Sequence, residues 1–289
     1  VMHACGHDGH MAMLLGLAEW ASQNRDDLKH NIVLIFQPAE ETIGGALPMI
    51  EEKVLKDPDV DCIFAFHIFP HIEQGKIGLK AGPLMAQTTE FDIELEGKTS
   101  HGAMPHKGID TIVAASHLIV GLQSLLTRRV DPLEDALITI GRLDAGERRN
   151  ILAETAIIEG IIRTFDDNVY RRLKQDIINM LKGIELSYGV KGVFKELTYY
   201  PVVCNDRELV YKLWGMIEKE VLVDTKPLMI AEDFSYYQRE VPGVLMLLGS
   251  RNAEKGYIDP LHSNKFNFDE KILLMGIQTM VDIISYFAI

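Results

Sequence analysis

The chain has 289 residues, of which 47% are hydrophobic and 25% are charged, and it carries a formal net charge of −13 at pH 7. This composition predicts a globular protein, and the length predicts two domains. The acidic balance argues against nucleic acid as the main partner, because phosphate binding requires a basic face, and no apolar stretch approaches the roughly 20 residues of a membrane span.

The cysteine content and the first residues bear on location and completeness. Cys5, Cys62 and Cys204 are an odd and sparse set. Such a set is not a disulfide framework and favours a reducing compartment, so we expect a cytoplasmic protein. The chain opens on VMHACGHDGH without a leading strand, and we therefore expect that it is a fragment whose N-terminal part is missing from the sequence.

The first third of the chain alternates helices with short apolar strands. Residues 9–24 have apolar side chains at helical spacing and predict a helix. Residues 31–37 (NIVLIFQ) are too short for a buried helix and predict a strand, and a helix that ends near Val54 follows. Residues 61–67 (DCIFAFH) predict the next buried strand. This alternation predicts an α/β domain with a mostly parallel sheet covered by helices.

The pattern changes near residue 88, where polar and apolar residues begin to alternate. In TTEFDIELEG, Phe91, Ile93 and Leu95 fall on one face, as in a half-buried strand of an open sheet. The elements that follow are a helix over 108–128, strands over 136–143 and 155–165, a helix over 167–187 and a strand near 193–200. The order β-α-β-β-α-β predicts one small sheet with both helices on one side.

After residue 201 the α/β pattern resumes, with a helix over 207–221, a strand over 244–249 and a terminal helix from about 269. The strand VLMLLG is apolar throughout, as is typical of a sheet covered on both faces. We therefore predict one catalytic α/β domain formed by residues 1–88 and 201–289, interrupted by a compact domain at 89–200.

Two short segments near the start of the chain carry groups that bind metal ions. Cys5 and His7 form a Cys-x-His pair at the start of the first helix, where a thiolate and an imidazole can reach the same ion. A polar helix start with a free thiol is the alternative. Glu40 and Glu41 follow the strand 31–37, where α/β sheets commonly bind ligands, and one carboxylate can bind metal while the other reaches a water. A solvated acidic turn is the alternative there.

Two histidines complete the candidate set. His67 ends the strand 61–67 and His262 lies in a late loop, and each alone is typical of an ordinary core or loop histidine. Because strand ends gather along one edge of an α/β sheet, we expect both histidines near Cys5 and Glu41. Five nitrogen, sulfur and oxygen donors exceed the need of one tetrahedral ion and suit a pair. A thiolate bridges two ions better than an imidazole does, so Cys5 is the candidate bridging ligand.

Seven motifs are spread in order over essentially the whole chain. They are HACGHDGHMA, QPAEE followed by GGA, the histidine of AFHIFP, SHGAMPHKGID, NILAETAIIEGIIRT, AEDFSYY and PLHSNKF. Together they resemble the amidohydrolase branch of the aminoacylase/carboxypeptidase metallopeptidase superfamily. That branch includes hippurate hydrolases, auxin-conjugate hydrolases and N-acetyldiaminopimelate deacetylases.

The resemblance implies a metal-dependent amidohydrolase that cleaves the amide bond of small N-acyl amino acids. It implies two divalent ions, of manganese, zinc, cobalt or nickel, held by Cys5, His7, Glu41, His67 and His262. It also implies that Glu40 is the general base. Such ions lower the pKa of a shared water and polarise the amide oxygen, while the base moves a proton from the water to the leaving nitrogen. Glu232 and Asp233 are expected to support the site rather than bind metal.

The resemblance gives the domain at 89–200 the role of a lid that also mediates homodimerisation. It implies that His101 helps to hold the tetrahedral oxyanion, in its own subunit or in the partner's. Asn150 and Arg163 match lid residues that contact the substrate, and an arginine suits a carboxylate because its planar fork binds both oxygens. An ordinary strand-edge arginine is the alternative for Arg163. His106 is a further candidate for substrate binding.

One departure from the family leaves other functions open. Relatives carry a long segment before the CGHD motif, with an aspartate that lies behind the metal site, and this sequence does not include it. An N-terminally truncated, catalytically inactive relative that binds ligand or dimerises is therefore one alternative. A dipeptidase or carboxypeptidase is another. The sequence leaves open whether the substrate is an N-acetyldiaminopimelate or a hippurate-like compound.

Overall fold

The protein folds into two compact units, each built from separate parts of the chain. The computed structural model describes residues 2–286. The first unit contains the described residues up to Leu84, then Val203–Pro227 and those from Glu232 onwards, and the second contains Met85–Val202 and Leu228–Ala231. The predicted boundaries lie at 88/89 and 200/201, and they leave residues 228–231 in the catalytic domain, whereas this short segment belongs to the second unit.

A four-stranded sheet forms the centre of the first unit. Its strands are β1 (Ile63–Glu73), β2 (Ile77–Leu79), β9 (Leu222–Asp224) and β10 (Gly243–Arg251), in the spatial order β1-β10-β2-β9. β1 pairs in parallel with β10, β2 runs antiparallel to β10, and β9 runs parallel to β2. β10 has apolar side chains on both of its faces, and it is buried along nearly its whole length. Such a strand is stable only inside a sheet that is covered on both sides, which explains its position between β1 and β2. β1 lies at the edge of the described sheet.

The first unit also contains five described α-helices. They are α1 (His7–Gln23), α2 (Ala46–Glu51), α5 (Arg207–Met216), α6 (Phe234–Glu240) and α7 (Lys271–Tyr286). Glycines let α1 and α7 approach closely. A Cβ at Gly16 would lie 2.5 Å from Ile277 Cδ1, and one at Gly276 would lie 2.2 Å from Met13 Sδ. A small two-stranded sheet joins β3 (Gly82–Met85) to β8 (Val203–Asn205).

Residues 31–37 do not form the predicted strand. They belong to none of the sheets in the described part of the chain, and Val33 and Phe36 are 36% and 43% exposed. A cavity of about 870 Å³ is lined by this segment and by Ile63–His67 of β1. The apolar run has the sequence pattern of a strand, but a strand also requires a neighbour within hydrogen-bonding distance, and no strand among residues 2–286 provides one.

Several other elements differ from the predictions at their ends. β1 continues past His67 to Glu73, so this histidine lies within the strand and not at its end. The helix predicted over 207–221 ends at Met216. Four strands of three or four residues, together with the seven-residue α6, were not predicted, because elements this short carry too few residues to show a periodic pattern.

The second unit is an antiparallel sheet with two helices. Its elements are β4 (Gln87–Glu96), α3 (Thr111–Arg129), β5 (Ala136–Ala145), β6 (Thr155–Thr164), α4 (Asp167–Tyr188) and β7 (Lys191–Tyr200). The strands lie in the order β5-β6-β4-β7, and all neighbours are antiparallel. The predicted order β-α-β-β-α-β is confirmed, and so is the α/β fold class.

One helix bears on the expected absence of a membrane span. α3 is 19 residues long, and it is the single helix in the described residues that is long and apolar enough to cross a membrane by length and composition. The expectation that no stretch approaches this length therefore does not hold. Leu118, Leu122 and Leu125 of α3 belong to the core of the second unit. A helix in the core of a globular protein can be equally long and apolar, so length and composition alone are weak support for a membrane-spanning helix.

Candidate metal centre

Cys5 and His7 are positioned by a tight turn at the start of α1. Gly6 lies between them with φ of +80°, a left-handed conformation that favours glycine, and His7 is the first helical residue. A Cβ at Gly6 would lie 3.2 Å from Ile68 Cδ1 of β1, and one at Gly9 would lie 2.8 Å from it. The start of α1 therefore packs directly on β1, and this packing leaves Cys5 buried.

His67 approaches Cys5 from β1. Its Nε2 lies 3.6 Å from Cys5 Sγ. Its Nδ1 lies 2.7 Å from the carbonyl oxygen of Ile68, to which it donates, so the lone pair of the ring is on Nε2. Burial lowers the pKa of His67 to about 4. The imidazole is thus neutral at pH 7, the form that binds a metal ion, and its free nitrogen faces the thiol.

Glu40 and Glu41 lie on a turn whose two ends are held by one carboxylate. The buried Asp233 side chain accepts hydrogen bonds from Gln37 Nε2, at 2.8 and 2.9 Å, and from the backbone N–H of Ala46, at 3.0 Å. These two donors flank the turn, so Asp233 fixes the distance between its ends. Its carboxylate thus holds one end of the turn through a side-chain amide and the other through a backbone N–H.

His262 reaches the same region from the late loop. Its backbone N–H donates to the carbonyl oxygen of Ala4 at 2.8 Å, which ties the loop to the first segment of the chain. Its Nε2 lies 3.0 Å from Glu41 Oε1. His7 Nε2 lies 3.8 Å from the same oxygen and 3.7 Å from Glu40 Oε2. The histidines therefore meet the carboxylates of the turn from two sides.

The side chains of the five predicted ligands form two donor groups that share one residue. Donor atoms of Cys5, His7 and His67 all lie within 4.8 Å of one another, and so do donor atoms of Cys5, Glu41 and His262. Thiolates, neutral imidazoles and carboxylates are the ligands that zinc and related divalent ions take in proteins. Two groups of three donors with a common sulfur suit two ions that share Cys5. The residues present therefore fit a pair of divalent ions.

Acidic groups crowd this centre and oppose one another's ionisation. Burial, followed by the charges of Glu41 and Asp233, raises the pKa of Glu40 to about 7. Burial, followed by the neighbouring Glu41, raises the pKa of the Cys5 thiol far above its ordinary value. The carboxyl oxygens of Glu40, Glu232 and Asp233 lie within 4.8 Å of one another, and burial and then Glu40 raise the pKa of Glu232 well above its ordinary value. A cation at this position would relieve the repulsion.

His10 is a residue of this centre to which the sequence analysis assigned no role. Its ring centroid lies 5.3 Å from that of His7 and 4.8 Å from that of His67. Its Nε2 accepts a hydrogen bond from the backbone N–H of Ile68 at 2.9 Å. The spacing of the two histidines in the sequence could have indicated this position. His10 follows His7 by three residues on α1, and residues three apart on a helix lie on the same face.

His101, Asn150 and His106 lie in one region of the second unit. His101 forms an isolated β-bridge with Ile151, and the backbone N–H of Gly102 donates to the carbonyl oxygen of Asn150 at 2.8 Å. The side chains of all three candidate residues are exposed. They are therefore available to a ligand, and His101 and Asn150 are neighbours across a backbone pairing.

Arg163 lies elsewhere in the second unit, near the end of β6. It pairs with Thr88 of β4, and its half-buried guanidinium donates to the backbone carbonyl of Met229. Burial lowers its pKa from the ordinary value, although an arginine keeps its charge at neutral pH. One N–H of the guanidinium is thus committed to the backbone of the segment 228–231.

Arg163 and His101 are far apart within the second unit. From the Thr88–Arg163 pair, the antiparallel pairing continues along β4 to the bridge between His101 and Ile151. From Thr88 to Glu96, β4 alone extends roughly 26 Å at about 3.3 Å per residue, and His101 lies five residues beyond its end. One small molecule cannot contact both side chains of the same copy.

Comparisons with known proteins match nearly the whole chain. The sequence profile of Peptidase family M20/M25/M40 matches residues 1–286. An N-acetyldiaminopimelate deacetylase of Bacillus subtilis (strain 168) is 39% identical over 290 residues, which cover 99% of this chain and 76% of that protein. An N-acetyl-L-cysteine deacetylase of the same organism is 40% identical over 276 residues, which cover 95% of this chain and 65% of that protein.

A solved structure has the same fold over nearly the whole chain. It is the crystal structure of a Bacillus subtilis protein called a dinuclear metal binding peptidase from the M20 family. It matches with a TM-score of 0.82 and 32% sequence identity, covering 98% of this chain and 72% of that one. The chain thus spans about two thirds to three quarters of the length of these three relatives.

The substitution Gly45→Ala tests whether the close packing of the turn that carries Glu40 and Glu41 contributes to stability. A Cβ at Gly45 would lie 2.0 Å from the carbonyl oxygen of Pro38, so Gly45→Ala forces the turn to open. We expect this substitution to lower the free energy of unfolding by about 1–3 kcal/mol, measured by urea denaturation of the metal-free protein. Gly215→Ala in α5 is the control, because a Cβ there meets no atom within 4 Å, and it should raise stability by up to about 1 kcal/mol. Equal stability of Gly45→Ala and the unmodified protein would contradict this role of the turn.

Glu40→Gln should stabilise the metal-free protein at alkaline pH. The folded-state pKa of Glu40 is about 7 against an ordinary value of 4.5, so the folded state disfavours the ionised form. The stability that the unmodified protein has below pH 4.5 is therefore lost as pH rises from there to about 7, by an amount on the order of 3 kcal/mol. The glutamine variant carries no such loss.

Thermal unfolding in excess chelator at pH 5 and pH 8.5 measures this effect. The melting temperature of Glu40→Gln should exceed that of the unmodified protein at pH 8.5 and lie close to it at pH 5. Glu218→Gln, a change at an exposed glutamate, is the control and should shift the melting temperature equally at both pH values. A glutamine variant that gains nothing at pH 8.5 would show that Glu40 is not electrostatically strained.

Proposed function

The chain belongs to Peptidase family M20/M25/M40, and we propose that it is a metal-dependent amidohydrolase that cleaves the amide bond of small N-acyl amino acids. The observation that carries the proposal is the pair of donor groups that share Cys5, with Glu40 beside them. The two Bacillus subtilis relatives that act as deacetylases support the substrate class. A cytoplasmic location stays a prediction.

The proposed cofactor is a pair of divalent ions of manganese, zinc, cobalt or nickel. The residues that would hold it are Cys5, His7, Glu41, His67 and His262. The dinuclear metal binding described for the Bacillus subtilis peptidase supports a pair. When bound, such ions supply Lewis acidity, which polarises the amide carbonyl and lowers the pKa of water.

Glu40 is the proposed general base. Its carboxylate lies 3.7 Å from His7 Nε2 and belongs to neither of the donor groups that share Cys5. Its pKa is about 7 in the absence of cations, and nearby positive charge lowers it, so the group is ionised and ready to accept a proton at neutral pH. It takes the proton of the attacking water and delivers it to the nitrogen that leaves.

The lid residues are the proposed substrate contacts. His101 would donate to the oxyanion of the tetrahedral intermediate, and Arg163 would bind the carboxylate of the amino acid with its planar fork. Asn150 and His106 are the additional candidates. Because one copy cannot bring His101 and Arg163 to one small substrate, we propose a homodimer in which the second copy supplies one of the two.

Two alternatives remain, and one has direct support. The relative that is called a peptidase favours a dipeptidase or carboxypeptidase as the second candidate, since a peptide and an N-acyl amino acid share the scissile amide. An inactive relative that binds ligand without turnover is the third. Activity on a defined set of amides separates all three.

The decisive experiment compares substrates on the metal-loaded protein. We expect hydrolysis of N-acetyl and N-benzoyl amino acids with kcat/KM at least tenfold above that of matched dipeptides, loss of activity in chelator, and recovery with Mn²⁺, Co²⁺ or Zn²⁺. Glu40→Gln should keep two ions per chain, by elemental analysis, while kcat falls about 10²–10⁴-fold, because it removes the base and leaves the ligands. Glu218→Gln should match the unmodified protein.

The outcomes distinguish the candidates. Faster cleavage of dipeptides would favour the peptidase, and metal-loaded protein without turnover on any amide would favour the inactive relative. Full activity after exhaustive metal removal would rule out the metal-dependent mechanism. Near-normal turnover by Glu40→Gln would remove this residue from the role of base.

Mixed dimers test the contribution of the second copy. Glu40→Gln is combined with His101→Ala in one mixture and with Arg163→Ala in another, after reversible dissociation. If the second copy supplies the mutated lid residue, one of the two sites in each mixed dimer keeps every functional group. We therefore expect one of the two mixtures to recover about one quarter of normal activity, since half of randomly formed dimers are mixed. Two inactive mixtures would overturn this arrangement.

A further inference from the structure

We infer that His10 is a positioning residue, which fixes His67 to the start of α1 through a hydrogen bond to the backbone of Ile68. The inference rests on the metal pair of the proposed function, because its consequence is the placing of two ligands, His7 and His67. His10 is a ligand in neither donor group. Its role is to join the two elements from which those ligands come.

The hydrogen bonds around Ile68 are the first observation. The backbone N–H of Ile68 donates to His10 Nε2 at 2.9 Å, and its carbonyl oxygen accepts from His67 Nδ1 at 2.7 Å. Both backbone polar groups of Ile68, on the edge strand β1, are thus bonded to imidazoles. His10 holds the backbone that in turn orients the ring of His67.

The protonation of His10 suits this role. The Nε2 atom of His10 accepts the hydrogen bond from the backbone N–H of Ile68, so it carries a lone pair and no proton. A neutral imidazole has one nitrogen that accepts and one that donates. With Nε2 as the acceptor from Ile68, the proton lies on Nδ1.

The packing around Ile68 makes the contact specific. The Ile68 side chain is fully buried, and positions 6 and 9 of the first segment are glycines that leave room for it. The side chain of Ile68 sets how closely α1 approaches β1, and the bond to His10 sets where α1 lies along the strand. A shift along the strand would move His7 relative to His67, whose ring centroids lie 5.9 Å apart.

Two substitutions at His10 separate the hydrogen bond from simple packing. His10→Phe keeps a ring but offers no acceptor, so it leaves the Ile68 amide unpaired. His10→Gln offers a side-chain oxygen near the position of Nε2 and is the conservative variant. His117→Gln, at an exposed histidine on α3 in the other unit, is the control.

Two measurements are made on each protein. Backbone amide exchange at Ile68 in the metal-free protein reports the hydrogen bond. Competition with a chromophoric chelator gives the affinity for Co²⁺, and the thiolate-to-Co²⁺ absorption reports the geometry at Cys5. We expect His10→Phe to exchange the Ile68 amide at least tenfold faster and to bind Co²⁺ about 10–100-fold more weakly, as loss of an orienting partner does at other metal sites. His10→Gln should restore both values to within a few fold.

Three results would overturn the inference. The first is a folded His10→Phe protein with unchanged Co²⁺ affinity. The second is a His10→Gln protein that protects the Ile68 amide yet binds Co²⁺ as weakly as His10→Phe does. If His10→Phe does not fold, the corresponding result is a His10→Gln protein that protects this amide yet binds Co²⁺ at least tenfold more weakly than the unmodified protein. The third is equal exchange of the Ile68 amide in all variants. An unmodified protein that binds no Co²⁺ would instead refute the metal pair of the proposed function, and that result needs no variant.

Discussion

The contact between the start of α1 and Ile68 of β1 is the constraint on which the candidate centre depends. The Cys5–His7 segment and His67 are some sixty residues apart in sequence, and each is held by this contact. Gly6 and Gly9 permit it, because side chains at either position would press on Ile68. A hydrogen bond from the Ile68 backbone to His10 accompanies it. Loss of this contact would separate the thiol from the histidine that lies 3.6 Å away.

A second constraint is electrostatic, and it opposes folding of the metal-free protein. Burial, followed by the charges of neighbouring carboxylates, raises the pKa of Glu40 and of Glu232. Neutral histidines, such as His67, offer no compensating charge. The centre therefore lowers the free energy of unfolding of the metal-free protein and favours the binding of cations. Hydrogen bonds such as those of Asp233 hold the turn in place against this repulsion.

The sequence was informative about residue types and less so about backbone neighbours. Cys5, His7, Glu41, His67 and His262 could be selected because metal chemistry restricts the ligand to a few side chains. The small sheet of the second unit could be predicted because β4 alternates strictly and because its elements follow the order β-α-β-β-α-β. The segment 31–37 could not, since the same apolar pattern occurs whether or not a strand lies beside it. Asp233 could be expected to support the site, but not to hold the turn of Glu40 and Glu41 at both ends. The role of His10 was invisible, because it acts through a backbone group that has no sequence signature.

The shared position of Cys5 has a consequence for oxidative damage. One sulfur belongs to both donor groups, so its conversion to a sulfenic or sulfinic acid would remove a ligand from both at once. The metal-free protein has a built-in protection, because the high pKa keeps Cys5 as a thiol and oxidants react with the thiolate. Burial of the side chain limits access further. Resistance to peroxide and readiness to ligate a cation therefore depend on opposite protonation states of the same atom.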